Sequence, residues 1–302
     1  MVQRGDTGEL FSVWDALRAA PQYVLPHHLL SAAMERLTRT RARWFKDPLI
    51  RWFSRAYRID WDEARFRSPG AYPDFNAFFT RELRPGARPV DTAPGAVVSP
   101  VDAAVSQAGR ADGGTLLQAK GRTFDLVRLL GGSADRAAPF RGGNFATLYL
   151  SPRDYHRIHM PVAGTLREMV CVPGRLFSVS PATTRVVPEL FARNERVVAV
   201  FETEAGPLAL VLVGAVFVGS IETVWHGVVT PPRRPEVQRW EYPAGDVRLA
   251  RGQELGRFNM GSTVILVFGK DAVSWDPGLD PDRRVRMGEH IGELGPQGTT
   301  ED

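Results

Sequence analysis

The chain has 302 residues, of which 43% are hydrophobic and 24% charged, a composition that excludes a disordered or fibrous protein. Its single cysteine, Cys171, excludes an intramolecular disulfide, and the Met-Val-Cys-Val pattern around it predicts a small buried apolar residue. The net charge of +4 is unevenly distributed, because residues 35–58 hold eight basic and two acidic residues. This asymmetry predicts an anionic partner for the N-terminal part of the chain.

No apolar segment near the start has the features of a secretory signal. The longest apolar run, residues 208–219, is shorter than the roughly 20 residues that span a bilayer. We therefore expect synthesis in the cytosol, and association with a membrane surface stays open.

Residues 10–66 predict short helices, because apolar side chains recur every three to four residues with arginines between them. Pro21, Pro26 and Pro48 are expected to divide this region. Basic residues beside tryptophan and phenylalanine are typical of a helix that lies in a membrane interface. A helical cap on the protein's own core is the alternative. Nucleic acid is not expected as a partner, because no base-reading motif accompanies the charge.

A turn-rich linker at residues 69–89 separates this region from a pattern of short valine-rich strands bounded by glycine or proline. Residues 126–130 predict one helical turn. The sequence therefore predicts an α+β fold, with an N-terminal helical membrane-docking region over residues 1–66. The rest, residues 67–302, is expected to be a β-rich core, mainly antiparallel and sandwich-like or barrel-like. The expected strands are residues 97–98, 103–105, 145–150, 197–201, 208–218, 220–225 and 264–268.

His156 and His159 stand three residues apart, and Pro161 argues against a helix that continues through them. With nearby Asp154 they suggest a metal site, but no further cluster completes a ligand set, so no metal is expected. Histidines that hold loops by hydrogen bonds are the alternative.

Asp102 ends a Ser-Pro-Val-Asp segment that opens an apolar strand. Such an aspartate commonly caps a turn. It is also suited to be the carboxylate of an Asp–His–Ser set, where it would fix the imidazole tautomer and stabilise the imidazolium.

Ser262 follows Gly261 and lacks the Gly-x-Ser-x-Gly elbow, which disfavours a conventional α/β-hydrolase. Gly261 has no side chain and would let a strained backbone hold its carbonyl beside the Ser262 hydroxyl. Attack by this hydroxyl converts the amide into an ester, and elimination leaves a dehydroalanine that hydrolyses to a pyruvoyl group. A Gly-Ser-Thr triplet is common, so these residues alone leave the question open.

Together these segments resemble the phosphatidylserine decarboxylases of the bacterial type, from about Gln22 to Phe268. One departure is Ala103, where the family often has glycine; it matters only if this position needs a positive φ. The most specific stretches are residues 78–89, 117–121, 149–161, 190–196, 213–215, 218–225 and 256–263.

The resemblance implies a proenzyme that cleaves itself between Gly261 and Ser262, giving a β chain of residues 1–261 and an α chain of residues 262–302. Ser262 would become the covalent pyruvoyl cofactor and the Schiff-base site. Asp102 and His159 would form the self-cleavage set with Ser262, and His156 would assist decarboxylation and proton transfer.

The implied substrate is phosphatidylserine in an anionic membrane, which would lose CO2 to become phosphatidylethanolamine. The resemblance also implies peripheral docking on the cytoplasmic face of the cell membrane, and a homodimer is left open. Two alternatives stand beside this interpretation. One is a serine hydrolase that uses Asp102, His159 and Ser262, and the other is a non-catalytic membrane-binding homologue.

Overall fold

The computed structural model describes residues 14–16, 19–119, 122–216, 220–232, 234–243, 245–260 and 262–295. Its helices are α1 (His27–Thr38), α2 (Arg43–Ala56), α3 (Phe75–Phe79), α4 (Leu126–Leu129), α5 (Ala134–Ala137), α6 (Pro181–Val186) and α7 (Leu190–Arg193). Short 3-10 helices cover Ala20–Tyr23, Pro69–Ala71, Asp112–Gly114 and Ala138–Phe140. The strands are β1 (Ala96–Val98), β2 (Ala103–Arg110), β3 (Thr115–Ala119), β4 (Arg122–Asp125), β5 (Asn144–Leu150), β6 (Arg157–His159), β7 (Gly164–Val172), β8 (Arg196–Thr203), β9 (Gly206–Val213), β10 (Ile221–Thr223), β11 (Gly227–Val228), β12 (Gln238–Glu241), β13 (Arg248–Leu249), β14 (Glu254–Phe258), β15 (Ser262–Phe268), β16 (Val273–Trp275), β17 (Arg284–Val285) and β18 (His290–Leu294).

A nine-stranded antiparallel sheet forms the centre of the protein. Eight strands follow the order β12-β7-β8-β9-β15-β5-β2-β17, and β13 pairs with β7 as well. Strand β15 lies between β9 and β5, and all seven of its residues are buried. Its uninterrupted apolar run is the pattern expected of a strand that is covered on both faces.

The two faces of this sheet bury different apolar clusters. Val264, Leu266 and Phe268 of β15 belong to a cluster shared with two smaller sheets, β11-β10-β14-β6 and β1-β18-β16. Ile265 and Val267 belong to a second cluster, formed with the short helices α4 to α7 and the hairpin of β3 and β4. Because successive side chains of a strand point to opposite faces, β15 joins three layers.

The sheet β11-β10-β14-β6 brings the strand with His159 beside the strand that leads to Ser262. His159 of β6 is paired with Glu254 of β14. Gly256 of β14 passes so close to β10 that a Cβ would lie 2.2 Å from the Glu222 carbonyl oxygen. Only glycine permits this approach, which keeps the strands beside the site in contact.

An aromatic cluster attaches the N-terminal helices to the core. Its members are Ile50, Phe53, Ile59, Tyr72, Phe75, Phe78 and Phe79, and Met260 packs against it. Phe53 of α2 lies 5.1 Å from Phe75 of α3, measured between ring centroids, a distance typical of favourable ring pairs. The cluster therefore spans the expected boundary near residue 66 and reaches the residues that precede Ser262.

The structure confirms the expected fold class. It is an α+β fold, rich in β-strands that are mainly antiparallel, and its sheets are not closed barrels. The helical turn expected at residues 126–130 is α4, and Cys171 is buried as expected. Ala103 lies in β2 and is not among the residues with positive φ, so the departure at this position causes no strain. Among the described residues, no helix is both long enough and apolar enough to cross a bilayer.

The expectation that Pro48 ends a helix is wrong, because α2 continues through it. Proline lacks the N–H that would bond to the Trp44 carbonyl. Trp44 is 82% exposed, so water can take the place of this donor. Ile50 and Phe53, buried in the aromatic cluster, hold the rest of the helix against the core.

The expected helical region also extends too far, because residues 57–66 are not helical. Helix α2 ends in a Schellman arrangement, in which Ile59 N–H donates to the Ser54 carbonyl and Arg58 N–H to the Arg55 carbonyl. Arg58 adopts a φ of 54° at the position where glycine is usual, so the sequence holds no glycine signal for this end.

Two expected strands are shorter in the structure. Strand β9 ends at Val213 rather than continuing to residue 218, and β10 covers only Ile221–Thr223. Of the eighteen strands in the described part of the chain, eleven had no prediction: β3, β4, β6, β7, β11 to β14 and β16 to β18. Strand β7 is nine residues long but had no prediction, because Arg167 and Glu168 interrupt its apolar pattern.

Candidate active site

Ser262 begins the fully buried strand β15. It lies opposite Leu150 of β5, its side chain is 0% exposed, and its Oγ has no hydrogen-bond partner among the described residues. A buried hydroxyl without a partner costs about 1–3 kcal/mol, and such groups are rare in folded proteins. This hydroxyl is shielded from water and from competing acceptors, which suits a group that reacts with a neighbouring atom. Gly261, the other half of the expected cleavage site, lies outside the described residues.

The backbone before Ser262 is anchored and then strained. Asn259 donates its backbone N–H to the Ser220 carbonyl (2.9 Å) and its side-chain N–H to the Ser220 hydroxyl (2.7 Å). It also accepts a hydrogen bond from the Asn76 side chain (3.0 Å). Met260 has a φ of 103°, a conformation that costs a residue with a Cβ about 1–3 kcal/mol. The strain at Met260 is therefore held between Asn259 and the pairing of β15, within two residues of the Ser262 hydroxyl.

Both ring nitrogens of His159 are hydrogen-bonded. Nδ1–H donates to the Gly252 carbonyl (2.8 Å), and this assigns the tautomer because a carbonyl can only accept. Nε2 is then the acceptor of a hydrogen bond from the Tyr155 hydroxyl (3.1 Å). Burial lowers the pKa of His159, although the Gly252 carbonyl and the charge of Glu254 oppose this shift. The ring is therefore neutral at neutral pH and can take up a proton at Nε2.

The carboxylate of Asp102 is bound by an arginine and a backbone N–H. Arg88 donates from Nε to Oδ1 (2.8 Å) and from Nη2 to Oδ2 (2.5 Å), and Met287 N–H donates to Oδ1 (2.9 Å). Arg88 also donates to Glu63 (2.8 Å). Burial alone would lower the pKa of Arg88, but its hydrogen bonds to Asp102 and Glu63 raise it above its usual value. Arg88 and Asp102 thus form a buried two-point ion pair in which each charge compensates the other.

His156 has one buried ring nitrogen that is free. Nδ1–H donates to the Asp154 carbonyl (2.8 Å), whereas Nε2 has no partner in the described part of the chain. The ring is 0% exposed, and its centroid lies 4.1 Å from that of Phe79. Burial lowers the pKa of His156 to about 4. The imidazole is therefore neutral at neutral pH, with Nε2 able to accept a hydrogen bond or a proton.

Backbone hydrogen bonds bring the segments of these four side chains together. The His159 N–H donates to the carbonyl of Pro100 (2.9 Å), two residues before Asp102. The His156 carbonyl accepts a hydrogen bond from the N–H of Phe258 (3.0 Å), four residues before Ser262. The candidate residues therefore share one region at the junction of β6, β14 and the start of β15.

No side-chain hydrogen bond joins Asp102 to His159, or His159 to Ser262, within the described ranges. The acceptor that fixes the His159 tautomer is the Gly252 carbonyl, a role expected of Asp102. The charge of Asp102 still acts on His159 and favours its protonated form. Asp102 is therefore arranged to act on the imidazole through its charge, without a hydrogen bond.

Three partners of these residues were not expected from the sequence: Tyr155, Arg88 and Gly252. Tyr155 and Arg88 lie inside the stretches 149–161 and 78–89, where the resemblance is most specific, so a signal was present although no role followed from it. Gly252 contributes a backbone carbonyl, which no residue type encodes.

In the part of the chain that the structure describes, no group of three or more histidine, cysteine, aspartate or glutamate side chains could hold a metal ion. Asp154, next to the two histidines in sequence, pairs with Arg284 and accepts hydrogen bonds from the N–H and hydroxyl of Ser151 (both 2.7 Å). Its carboxylate is therefore engaged in holding the turn before His156.

Comparison with known proteins identifies the family. A family model described as phosphatidylserine decarboxylase matches residues 75–293, more than half of the chain. The chain belongs to the phosphatidylserine decarboxylase family. A second family model, described as PSD, matches residues 17–58.

Curated relatives agree with this assignment. The phosphatidylserine decarboxylase proenzyme of Azotobacter vinelandii is 57% identical over 282 residues, which cover 92% of this chain and 98% of that protein. The proenzyme of Pseudomonas aeruginosa (strain LESB58) is 57% identical over 278 residues, 91% of this chain and 96% of that protein. The proenzyme of Nitrosococcus oceani is 58% identical over 282 residues, 93% and 92% of the two chains. The expectation that the chain is an enzyme of this family is thus confirmed.

Replacement of Arg88 by methionine should leave Asp102 buried without a counter-charge. Loss of one partner of a buried ion pair costs about 3–5 kcal/mol, so Arg88→Met should lower the free energy of unfolding by that amount in chemical denaturation. The double variant Arg88→Met/Asp102→Asn should lose clearly less than the sum of the two single losses. As a control, Arg286→Met removes an arginine whose side chain is 67% exposed and should cost less than about 1 kcal/mol. Additive losses would show that the two buried charges do not depend on each other.

The stability of the protein should fall on acidification partly because of His156. The pKa of the folded state is about 4 and the ordinary value is 6.5, so the unfolded chain binds the proton first. Stability is therefore lost as the pH falls from 6.5 towards 4, by on the order of 3 kcal/mol. Thermal unfolding at a series of pH values should show a shallower decline for His156→Gln than for the parent. The control His226→Gln, at an exposed position, should decline as the parent does, and equal slopes for all three would contradict the assignment.

Proposed function

We propose that this chain is a proenzyme that cleaves its own Gly261–Ser262 bond and then decarboxylates phosphatidylserine to phosphatidylethanolamine with the pyruvoyl group so formed. The Ser262 hydroxyl carries the proposal, because it is buried, lacks a partner among the described residues, and follows the strained Met260 by two positions. Family membership supports it, since relatives at 57% identity are named phosphatidylserine decarboxylase proenzymes.

Self-cleavage requires only the chain and one water molecule. The Ser262 Oγ bonds to the Gly261 carbonyl carbon and the C–N bond breaks, which leaves an ester and a free amino group. Removal of the Ser262 α-proton then breaks the Cβ–Oγ bond, which gives Gly261 a carboxylate and leaves dehydroalanine at position 262. Water replaces its nitrogen, which leaves as ammonia, and the pyruvoyl group remains. Strain at Met260 favours the first step, because opening the backbone relieves it.

His159 is the base for this first step. Its Nε2 carries no proton and takes the one from the Ser262 hydroxyl in exchange for the hydrogen bond from Tyr155. Asp102 stabilises the resulting imidazolium through its negative charge, since its oxygens already accept hydrogen bonds from Arg88 and Met287.

A pyruvoyl group at position 262 would supply the electron sink that the loss of CO2 from the substrate requires. His156 Nε2 carries no proton in the free site, so it takes one up from water once the substrate is bound and delivers it to the substrate carbon that loses CO2. Burial favours the neutral ring, and the negative charge of a bound carboxylate opposes that effect. The Asp154 carbonyl and the Phe79 ring hold the imidazole in its orientation.

Membrane docking is assigned to the N-terminal region, residues 1–66, and catalysis to residues 67–302. Ten of the fourteen large apolar side chains that are exposed in the described part of the chain lie between Trp14 and Phe66. On α2, Trp44 is 82% exposed and Trp52 is 62% exposed, and arginines share the helix. Exposed tryptophans beside arginines are typical of interfacial helices, and each basic residue near an anionic surface adds about 1 kcal/mol.

A serine hydrolase built on the same residues is less well supported. Its nucleophile must reach the carbonyl of an external ester, whereas Ser262 is 0% exposed. An attack on the peptide bond that precedes Ser262 requires no such access.

Intact-mass spectrometry of the purified protein tests the cleavage. We expect two fragments, residues 1–261 and residues 262–302, the second with 41 residues and a keto-blocked N-terminus. The Ser262→Ala variant should remain one chain and release no CO2 from phosphatidylserine. Thr263→Ala alters the adjacent hydroxyl and should still be cleaved. A single uncleaved parent chain, folded by circular dichroism and labelled by serine-directed acylating probes, would instead support a hydrolase.

Binding to vesicles tests the docking surface. Trp44→Ala/Trp52→Ala should bind phosphatidylglycerol vesicles at least about tenfold more weakly in co-sedimentation, because two interfacial anchors are lost. High salt should weaken binding further, since the arginines act electrostatically. The control is Val228→Ala, which changes an apolar residue that is 56% exposed and lies outside the N-terminal region. Equal vesicle binding by the tryptophan variant and the parent would rule out α2 as the docking element.

A further inference from the structure

Arg81 is a buried arginine whose guanidinium makes few polar contacts with the described residues. It is 6% exposed, and its Nε has no hydrogen-bond partner among the described residues. Its Nη2 donates a long hydrogen bond of 3.4 Å to the Arg153 carbonyl, and its guanidinium carbon lies 5.6 Å from the Phe78 ring centroid. No carboxylate in the described part of the chain forms an ion pair with it, in contrast to Arg88 nearby.

Arg81 lies in the wall of the candidate active site. The preceding residues touch the His156 segment, because the Phe79 ring packs on the His156 ring and the Thr80 carbonyl accepts a hydrogen bond from Arg157 (2.9 Å). Arg81 itself contacts Arg153, three residues before His156. Its charge reaches the imidazole, since it contributes to lowering the pKa of His156.

An unpaired buried guanidinium is costly. The effective penalty of burying an ion is several kcal/mol, and it is compensated only by an opposite charge and further hydrogen bonds. Burial lowers the pKa of Arg81, which expresses this cost. The 3.4 Å hydrogen bond to Arg153 is weak, so the guanidinium can exchange it for a stronger acceptor. An anionic ligand would supply both the charge and the acceptor.

The head group of phosphatidylserine carries two anions, a carboxylate and a phosphodiester. The carboxylate loses its charge as CO2 departs, so a cation bound to it would stabilise the ground state more than the transition state and slow the reaction. The phosphodiester keeps its charge throughout, and arginine matches its oxygens in geometry. Resting on the function proposed above, we propose that Arg81 binds the phosphodiester of the lipid head group and orients the serine moiety towards His156 and Ser262.

This assignment predicts an effect on KM without an effect on kcat, because the contact is equally strong in the ground and transition states. With a short-chain, water-soluble phosphatidylserine, Arg81→Gln should raise KM about 10- to 100-fold, the loss expected for a charge-assisted contact. Arg84→Gln, which removes an exposed arginine from the same segment, should leave both constants unchanged. A higher kcat in Arg81→Gln would assign Arg81 to the carboxylate and overturn the proposal.

Product inhibition separates the two anions directly. Short-chain phosphatidylethanolamine has the phosphodiester but no carboxylate, so its inhibition constant should rise in Arg81→Gln in proportion to KM. An unchanged inhibition constant would overturn the proposal. Arg81→Lys keeps the charge without the planar fork and should fall between the parent and Arg81→Gln in both constants, which provides the test if the glutamine variant does not fold.

The state of the chain distinguishes this proposal from the function on which it rests. Arg81→Gln should be cleaved to the same two fragments as the parent, since Arg81 acts on the substrate only. A folded Arg81→Gln chain that stays uncleaved would overturn the assignment, as would unaltered kinetics in a cleaved one. A parent chain that neither cleaves itself nor releases CO2 would refute the proposed function instead.

Discussion

Complete burial of β15 is the constraint on which the site depends. A shift of its register by one residue would move Val264 and Leu266 from one apolar cluster to the other, which the pairing with β5 and β9 does not allow. The first residue of this strand, Ser262, therefore has a fixed position. Upstream, Asn259 is held by Ser220 and Asn76. The short backbone between these two anchors has little freedom, and Met260 adopts its strained conformation there.

The same burial makes the polar groups of the site interact strongly. In a dry interior a charge or hydrogen bond has a larger effect than in water, and an unpaired group costs more. The buried charge of Asp102 is compensated by Arg88 and the Met287 N–H. His156 avoids the cost of a buried charge because its ring is neutral. Ser262 Oγ, His156 Nε2 and Arg81 Nε are left without partners among the described residues. These three atoms are the places where a reacting bond or a bound molecule would complete the site.

Local sequence patterns predicted the central strands of the fold, because β5, β8 and β15 are rich in apolar residues. They failed where the deciding contact is distant. Helix α2 continues through Pro48 because Phe53 and its neighbours pack on α3, and it ends at Arg58 without a glycine. Strand β7 was missed because Glu168, in the middle of it, is buried through an ion pair with Arg136, a contact that the local sequence does not reveal.

In the candidate site, too, some residues could be predicted from the sequence and others could not. Asp102, His156, His159 and Ser262 were found from motifs and from the family resemblance. Their partners were not found, because Gly252 contacts His159 through a carbonyl from 93 residues away, and Arg88 lies 14 residues before Asp102, with β1 between them. Residue types can suggest which groups react, but the tautomer of His159 and the pairing of Asp102 follow only from the assembled fold.

The threading of the last strands has a consequence for the lifetime of the molecule. A cut before Ser262 would leave β15 between β5 and β9, β17 on β2, and β18 on β1. The short fragment would then be locked into the fold, and it could not be exchanged for a fresh copy. The pyruvoyl group proposed at position 262 would be part of the backbone and could not be replaced. Reduction or chemical blockage of its carbonyl would therefore inactivate the molecule permanently. Activity in the cell would then be restored only by translating a new chain.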